Sequence, residues 1–157
     1  MTHRLIAVLL ALVLVAWPAR AMNNPGPISL GDIVVTTAGT QIGTPQTGLS
    51  GIDALSLQVR LASGAGGTTV TAYVQTSLDQ GQTWIDIAAV QFGTSGGVQV
   101  VNLSALDKLT TWTTPTDGAL TPGTVLDGIL GDQLRLKVIS TGTYSGNTLL
   151  SVRGVAR

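Results

Sequence analysis

The ten residues Asp53-Ala54-Leu55-Ser56-Leu57-Gln58-Val59-Arg60-Leu61-Ala62 decide the fold class. Leu55, Leu57, Val59 and Leu61 fall on one side of an extended chain, with Ser56, Gln58 and Arg60 on the other. A period of two over that length is a strand with one face in a core and one in water. The flexible turn Ser63-Gly64-Ala65-Gly66-Gly67 follows. Thr68 to Thr76 then repeats the pattern, with Val70, Ala72 and Val74 inward and Tyr73 outward.

Working outward, Trp84 to Phe92 changes phase: Ile85, Ile87 and Ala89 share one side, Val90 and Phe92 the other. A bulge near Ala88-Ala89, or burial of both faces, accounts for the switch. Val98 to Leu103 shows a similar slip at Val100-Val101. Ser104 to Gly131 is irregular, with room for a turn of helix, and a connection of that length suits a functional loop or a Greek-key crossover. Gln133 to Thr141 and Asn147 to Ala156 alternate again and predict a closing hairpin about Gly142 to Gly146. Upstream, Ile28 to Thr37 is a first strand, and Thr40 to Leu49, broken by Gly43 and Pro45, is an edge segment or loop. Seven or eight short strands without a helical period predict an all-β fold, a single jelly-roll-like β-sandwich over 28–157. A flexible arm over 22–27 precedes it, since Pro25 and Pro27 cannot donate to a ladder.

Residues 1–21 have the order of a secretory signal peptide. Thr2, His3 and Arg4 precede an apolar run from Leu5 to Trp17, and Ala19-Arg20-Ala21 supplies a cleavage site. Thirteen apolar residues are short for a bilayer span, which takes about 20. The alternatives are a start at Met22 and a retained anchor.

Composition narrows function. Beyond Ala21 the chain has no Cys, His or Glu, because the one His is His3 and all eight acids are Asp. General acid–base and nucleophilic catalysis would have to rest on Asp, Lys and Tyr, and zinc and haem sites lose their usual ligands. The expectation is therefore a protein without catalytic residues, cofactor or metal. Six Lys and Arg against eight Asp after the leader leave no basic excess for nucleic acid. Charged residues make up 10% of the chain against roughly 25% in ordinary soluble domains, which suits an assembly component with a covered surface. No membrane partner is expected once the leader is removed.

Three features are candidate sites. Ser77-Leu78-Asp79-Gln80-Gly81-Gln82-Thr83-Trp84 resembles the Asp-box, S-x-D-x-G-x-T-W. Its Ser and Asp can cap backbone N–H groups in a tight turn, its Gly can take a positive φ, and its Trp can pack on the next strand. In sialidases this motif is a structural hairpin remote from the catalytic centre, so Ser77, Asp79, Gly81, Thr83 and Trp84 are expected to shape a turn, the alternative being a sugar-binding element. Second, a closing hairpin would set Arg135 opposite Arg153, with Lys137, Arg157 and Arg60 nearby. That would be either a small basic patch for an acidic neighbour or a solvated face that discourages edge pairing. Third, Trp112 either plugs one end of the sandwich or stacks on a sugar, with Tyr144 as a second platform. Asp107, Asp117, Asp127 and Asp132 read as turn caps rather than Ca²⁺ ligands, since no D-x-D-x-D-G loop is present.

The runs AYVQTSLDQGQTWIDIAA (Ala72 to Ala89) and GDQLRLKVISTGTYSGNTLLSVRGVA (Gly131 to Ala156) resemble a family of small tailed-phage and prophage virion proteins. The resemblance implies a non-enzymatic β-sandwich that decorates or completes a capsid, neck or tail, with other virion proteins or copies of itself as partners and the virion as its location. The leader instead suggests an exported adhesin or carbohydrate-binding module, periplasmic or extracellular, with a glycan partner.

Overall fold

The computed structural model describes residues 26–157, which form eight strands and no helix. In chain order they are β1 (Gly26–Val35), β2 (Gly39–Ile42), β3 (Ala54–Ala62), β4 (Thr69–Ser77), β5 (Ile85–Phe92), β6 (Gly97–Ser104), β7 (Gln133–Thr141) and β8 (Thr148–Ala156). One antiparallel sheet has the order β1-β8-β3-β6 and the other β2-β7-β4-β5. Two four-stranded sheets wound in this order are a jelly roll. The expected leader, and the Met22–Pro25 part of the expected arm, lie outside the described residues.

The alternation of β3 does what its sequence predicts. Leu55, Leu57, Val59 and Leu61 are buried, and they share one core with Val70, Ala72 and Val74 of β4, Leu134, Leu136 and Val138 of β7, and Leu150 and Val152 of β8. β3 sits inside its sheet, paired to β6 on one side and β8 on the other.

Three expectations are corrected and a fourth is refined. β7 and β8 do not form a hairpin: they lie in different sheets, and residues 142–147 cross the end of the sandwich between them. Tyr144 directs that crossing, because its hydroxyl donates to Thr69 O at 3.1 Å and its ring lies against Gly67. The arm is shorter than expected, since Gly26 and Pro27 already pair with Ala156 and Val155; Pro27 is tolerated there because β1 is an edge. The bulge expected near Ala88-Ala89 in β5 is present and falls at Ile87: Val74 pairs with Ala88 and Gln75 with Asp86, so Ile87 is the extra residue. Burial of both faces also holds there, with Ala89 buried on the outer side opposite Tyr73. In β6 there is no slip. Its pairing with β3 is uninterrupted, and Val98 and Val100 are simply exposed aliphatics on the outer face.

Consecutive strands share a sheet only at β4–β5; every other connection among the described residues passes from one sheet to the other. The stretch after β6 contains no helical turn. It returns along the open edge of β5 through backbone bonds Asp86 N to Thr116 O (2.9 Å), Gly123 N to Ala89 O (2.7 Å), Ala89 N to Thr124 O (3.0 Å) and Leu126 N to Ile87 O (2.8 Å).

Candidate functional site

The β4–β5 hairpin is built from its own side chains. Ser77 Oγ accepts from the N–H of Gly81 (2.7 Å) and of Asp79 (3.3 Å), and donates to Asp79 Oδ1 (2.8 Å). Asp79 then accepts from Thr83 twice, N–H to Oδ1 at 2.8 Å and Oγ1–H to Oδ2 at 2.6 Å. These bonds favour the charged carboxylate, with the Thr83 hydroxyl foremost, and hold its pKa down at about 2. Gly81, at φ +88°, makes the reversal, and Trp84 Nε1 donates to its carbonyl at 3.1 Å. The Arg135 guanidinium lies 4.2 Å from the centre of the Trp84 ring, a cation–π contact.

Arg135 leads from the hairpin into a polar network on the outer face of the β2-β7-β4-β5 sheet. Its Nε donates to Gln75 Oε1 (2.7 Å), and the Gln75 amide donates to Asp86 Oδ1 and Asp117 Oδ1, both at 2.7 Å. Asp117 also accepts from Lys137 Nζ (2.8 Å) and Arg135 Nη2 (3.3 Å). The hydrogen bond from Lys137, followed by that from Gln75, lowers the Asp117 pKa, while burial lowers that of Arg135. Asp86 is fully buried and accepts from Thr116 Oγ1 (2.8 Å) and from the N–H groups of Gly118, Ala119 and Leu120. The network clamps the 113–120 loop over the sheet and buries Tyr73, whose hydroxyl pKa rises through desolvation.

This overturns the expected basic patch. Arg135 and Arg153 stand on opposite sides of the sandwich, because their strands belong to different sheets. Arg135 and Lys137 have largely buried side chains and spend their charge on Asp117. Arg60 and Arg153 do share a face, on the other sheet, where Arg60 stands opposite Ser151 and Arg153 opposite Gln58. Arg153 there binds Asp32 Oδ2 at 2.7 Å. Hydrogen bonds from Ser151 and then Arg153 lower the Asp32 pKa.

That second face is open. Cross-strand register lines up Val34 with Leu149 and Ala62, Asp32 with Ser151, Arg60 and Val98, Ser29 with Arg153, Gln58 and Val100, and Pro27 with Val155, Ser56 and Asn102. Val34, Leu149, Val155, Val98 and Val100 are all exposed. No described segment of the chain folds over these rows as the 113–120 loop does over the other sheet.

Trp112 and Tyr144 part company. Trp112 is fully exposed, so it is no plug; it borders an open cleft of about 420 Å³ with Leu109 and Ile129. Tyr144 is partly buried against the core, with its hydroxyl committed to Thr69, and presents no stacking platform. Asp127 caps the Ser104 N–H at 2.8 Å. Among the described residues no group of three or more His, Cys, Asp or Glu is placed to share a metal ion, and no helix is long and apolar enough to cross a membrane. The residues that sequence reasoning missed are Gln75 and Asp86, polar positions on outward-facing phases whose cover comes from a loop some 30 residues later.

The chain matches no protein-family model, no curated protein and no solved structure at a significant level.

Proposed function

We propose that the protein is a non-enzymatic virion structural subunit, a capsid-decoration, neck or tail component that works by packing against other virion proteins. The supporting observation is the contrast between the two sheets. One is covered by the protein's own loop, and the other offers rows of exposed aliphatics with Asp32, Arg60 and Arg153 as the charged residues among them. A broad, lightly charged strand face suits burial against a neighbour. The jelly roll serves viral capsid proteins, lectins and cupins alike, so the fold supports the class without choosing within it. The test is mass spectrometry of purified particles together with Leu149→Arg, a substitution on the open face. The expected result is a folded variant lost from the particle. The reading fails if the chain is absent from particles or if the variant is incorporated normally.

A second reading, an exported carbohydrate-binding module or adhesin, is favoured by the complete exposure of Trp112 beside an apolar cleft. Glycan-array binding lost in Trp112→Ala would establish it.

A further inference from the structure

We infer that β6 is a self-association edge, joining two copies of the chain through antiparallel β6–β6 pairing about a two-fold axis at Val100. A sheet edge presents unpaired backbone groups, and folded proteins blunt such edges with identifiable devices. The three other edges of this sandwich carry them. β1 has Pro27, a bulge between Ser29 and Gly31, and the Arg153–Asp32 ion pair. β2 is four residues long. β5 is bonded along its outer side by residues 116–126. Among the described residues β6 has none: its sequence, GVQVVNLS, holds no charge and no proline, and its ladder to β3 runs unbroken from Ser104 to Gly97.

The register also says which backbone groups stay open. Ala54 and Arg157 exchange both hydrogen bonds, so Ala54 faces β8 and its alternate neighbours Leu55, Leu57, Val59 and Leu61 face β6. Their partners Leu103, Val101, Gln99 and Gly97 therefore point inward along the sheet, and Val98, Val100, Asn102 and Ser104 point outward. Ser104 is already satisfied, its N–H by Asp127 and its carbonyl by the N–H of Gly128 at 2.7 Å. Among the described residues, Val98, Val100 and Asn102 remain, each with an open donor and an open acceptor.

Those three positions are self-complementary. An axis at Val100 sets Val100 against its own counterpart and Val98 against Asn102 of the other copy, so that every open donor meets an open acceptor. The cap on Ser104 ends the ladder at that point. Because the contact is isologous it closes at two copies and does not grow into a fibre. Val98 and Val100, 55% and 69% exposed, are then partly covered, and the open faces of the two copies merge into one eight-stranded surface.

The test is sedimentation velocity over a concentration series, on protein expressed from the full coding chain with its N-terminus defined by mass spectrometry. It needs no particle, so its outcome is independent of the virion reading. The expected result is a reversible monomer–dimer equilibrium. Val100→Lys places like charges across the axis and should weaken dimerisation on the order of tenfold. Val98→Lys alone should weaken it too, and Val98→Lys with Asn102→Asp should recover it, because those two positions face each other only in this register. Leu149→Lys, on the same face but away from the edge, should leave it unchanged, with circular dichroism showing each variant folded. A monomer at every concentration, a dimer indifferent to Val100→Lys, or one disrupted equally by Leu149→Lys overturns the proposal.

Discussion

Both oxygens of the Asp86 carboxylate accept from the single backbone N–H of Gly118, at 2.9 and 2.7 Å. The contact spans 32 residues and fastens an irregular loop to a strand that would otherwise end the sheet. It closes one outer face of the sandwich and so makes the two faces unlike.

Asp86→Ala removes the common acceptor of Thr116, Gly118, Ala119 and Leu120 and deprives Gln75 of one partner. Orphaning several partly buried donors around a buried acceptor should cost about 3 kcal/mol in urea unfolding. Hydrogen exchange should then speed up at Ala89, whose N–H bonds Thr124 in the same loop, while the β3 and β8 amides keep their protection. Unchanged exchange at Ala89 would mean the loop is held by other contacts.

Acid should loosen the protein partly through its hairpin. Asp79 has its pKa lowered from 3.8 to about 2 in the folded chain, so between those values the unfolded chain binds more protons. The Thr83 contacts thus contribute stability that is whole above about pH 4 and declines as pH falls through about 2. Melting temperature measured across that range should fall less steeply in Asp79→Asn than in the parent. Asp32 and Asp117, also lowered, keep part of the slope in both proteins.

The two described tryptophans should behave as opposites. Trp84 holds the Gly81 carbonyl and the Arg135 guanidinium, and Trp84→Ala should cost about 2 kcal/mol. Trp112 touches solvent on all sides, so Trp112→Ala should stay within about 0.5 kcal/mol of the parent. Denaturant midpoints for the pair decide the matter.

At the crossing between β7 and β8, Tyr144→Phe loses one hydrogen bond and should cost about 1 kcal/mol. Gly67→Ala should cost more, because Gly67 has φ +80° and a Cβ there would run into the Tyr144 ring. Equal losses by calorimetry would show that the ring does not rest on Gly67 as described.

Strand existence was legible because it depends on period. Leu55 to Leu61 and Leu134 to Val138 each alternate without a break, and both lie where the alternation puts them. Strand pairing was not, because Gly142 to Gly146 has the same turn chemistry whether the chain doubles back in one sheet or crosses to the other. The phase change of β1, from Ile28 and Leu30 to Ile33 and Val35, was there to be seen and marks the Gly31 bulge. The buried network was hidden for a different reason. Gln75, Asp86 and Arg135 occupy outward phases, and only the fold of an aperiodic loop distinguishes a covered polar residue from a wet one.

β8 lies between β1 and β3, and it is the strand to which β1 is paired. A ribosome making this chain releases the first described strand well over a hundred residues before its partner exists. Until Thr148 to Ala156 emerge, β1 and one side of β3 have no ladder to join, while the β4–β5 hairpin can close on local contacts alone. The β1-β8-β3-β6 sheet therefore cannot be completed before β8 is made, and a stop codon before Thr148 would deprive both β1 and β3 of their shared neighbour.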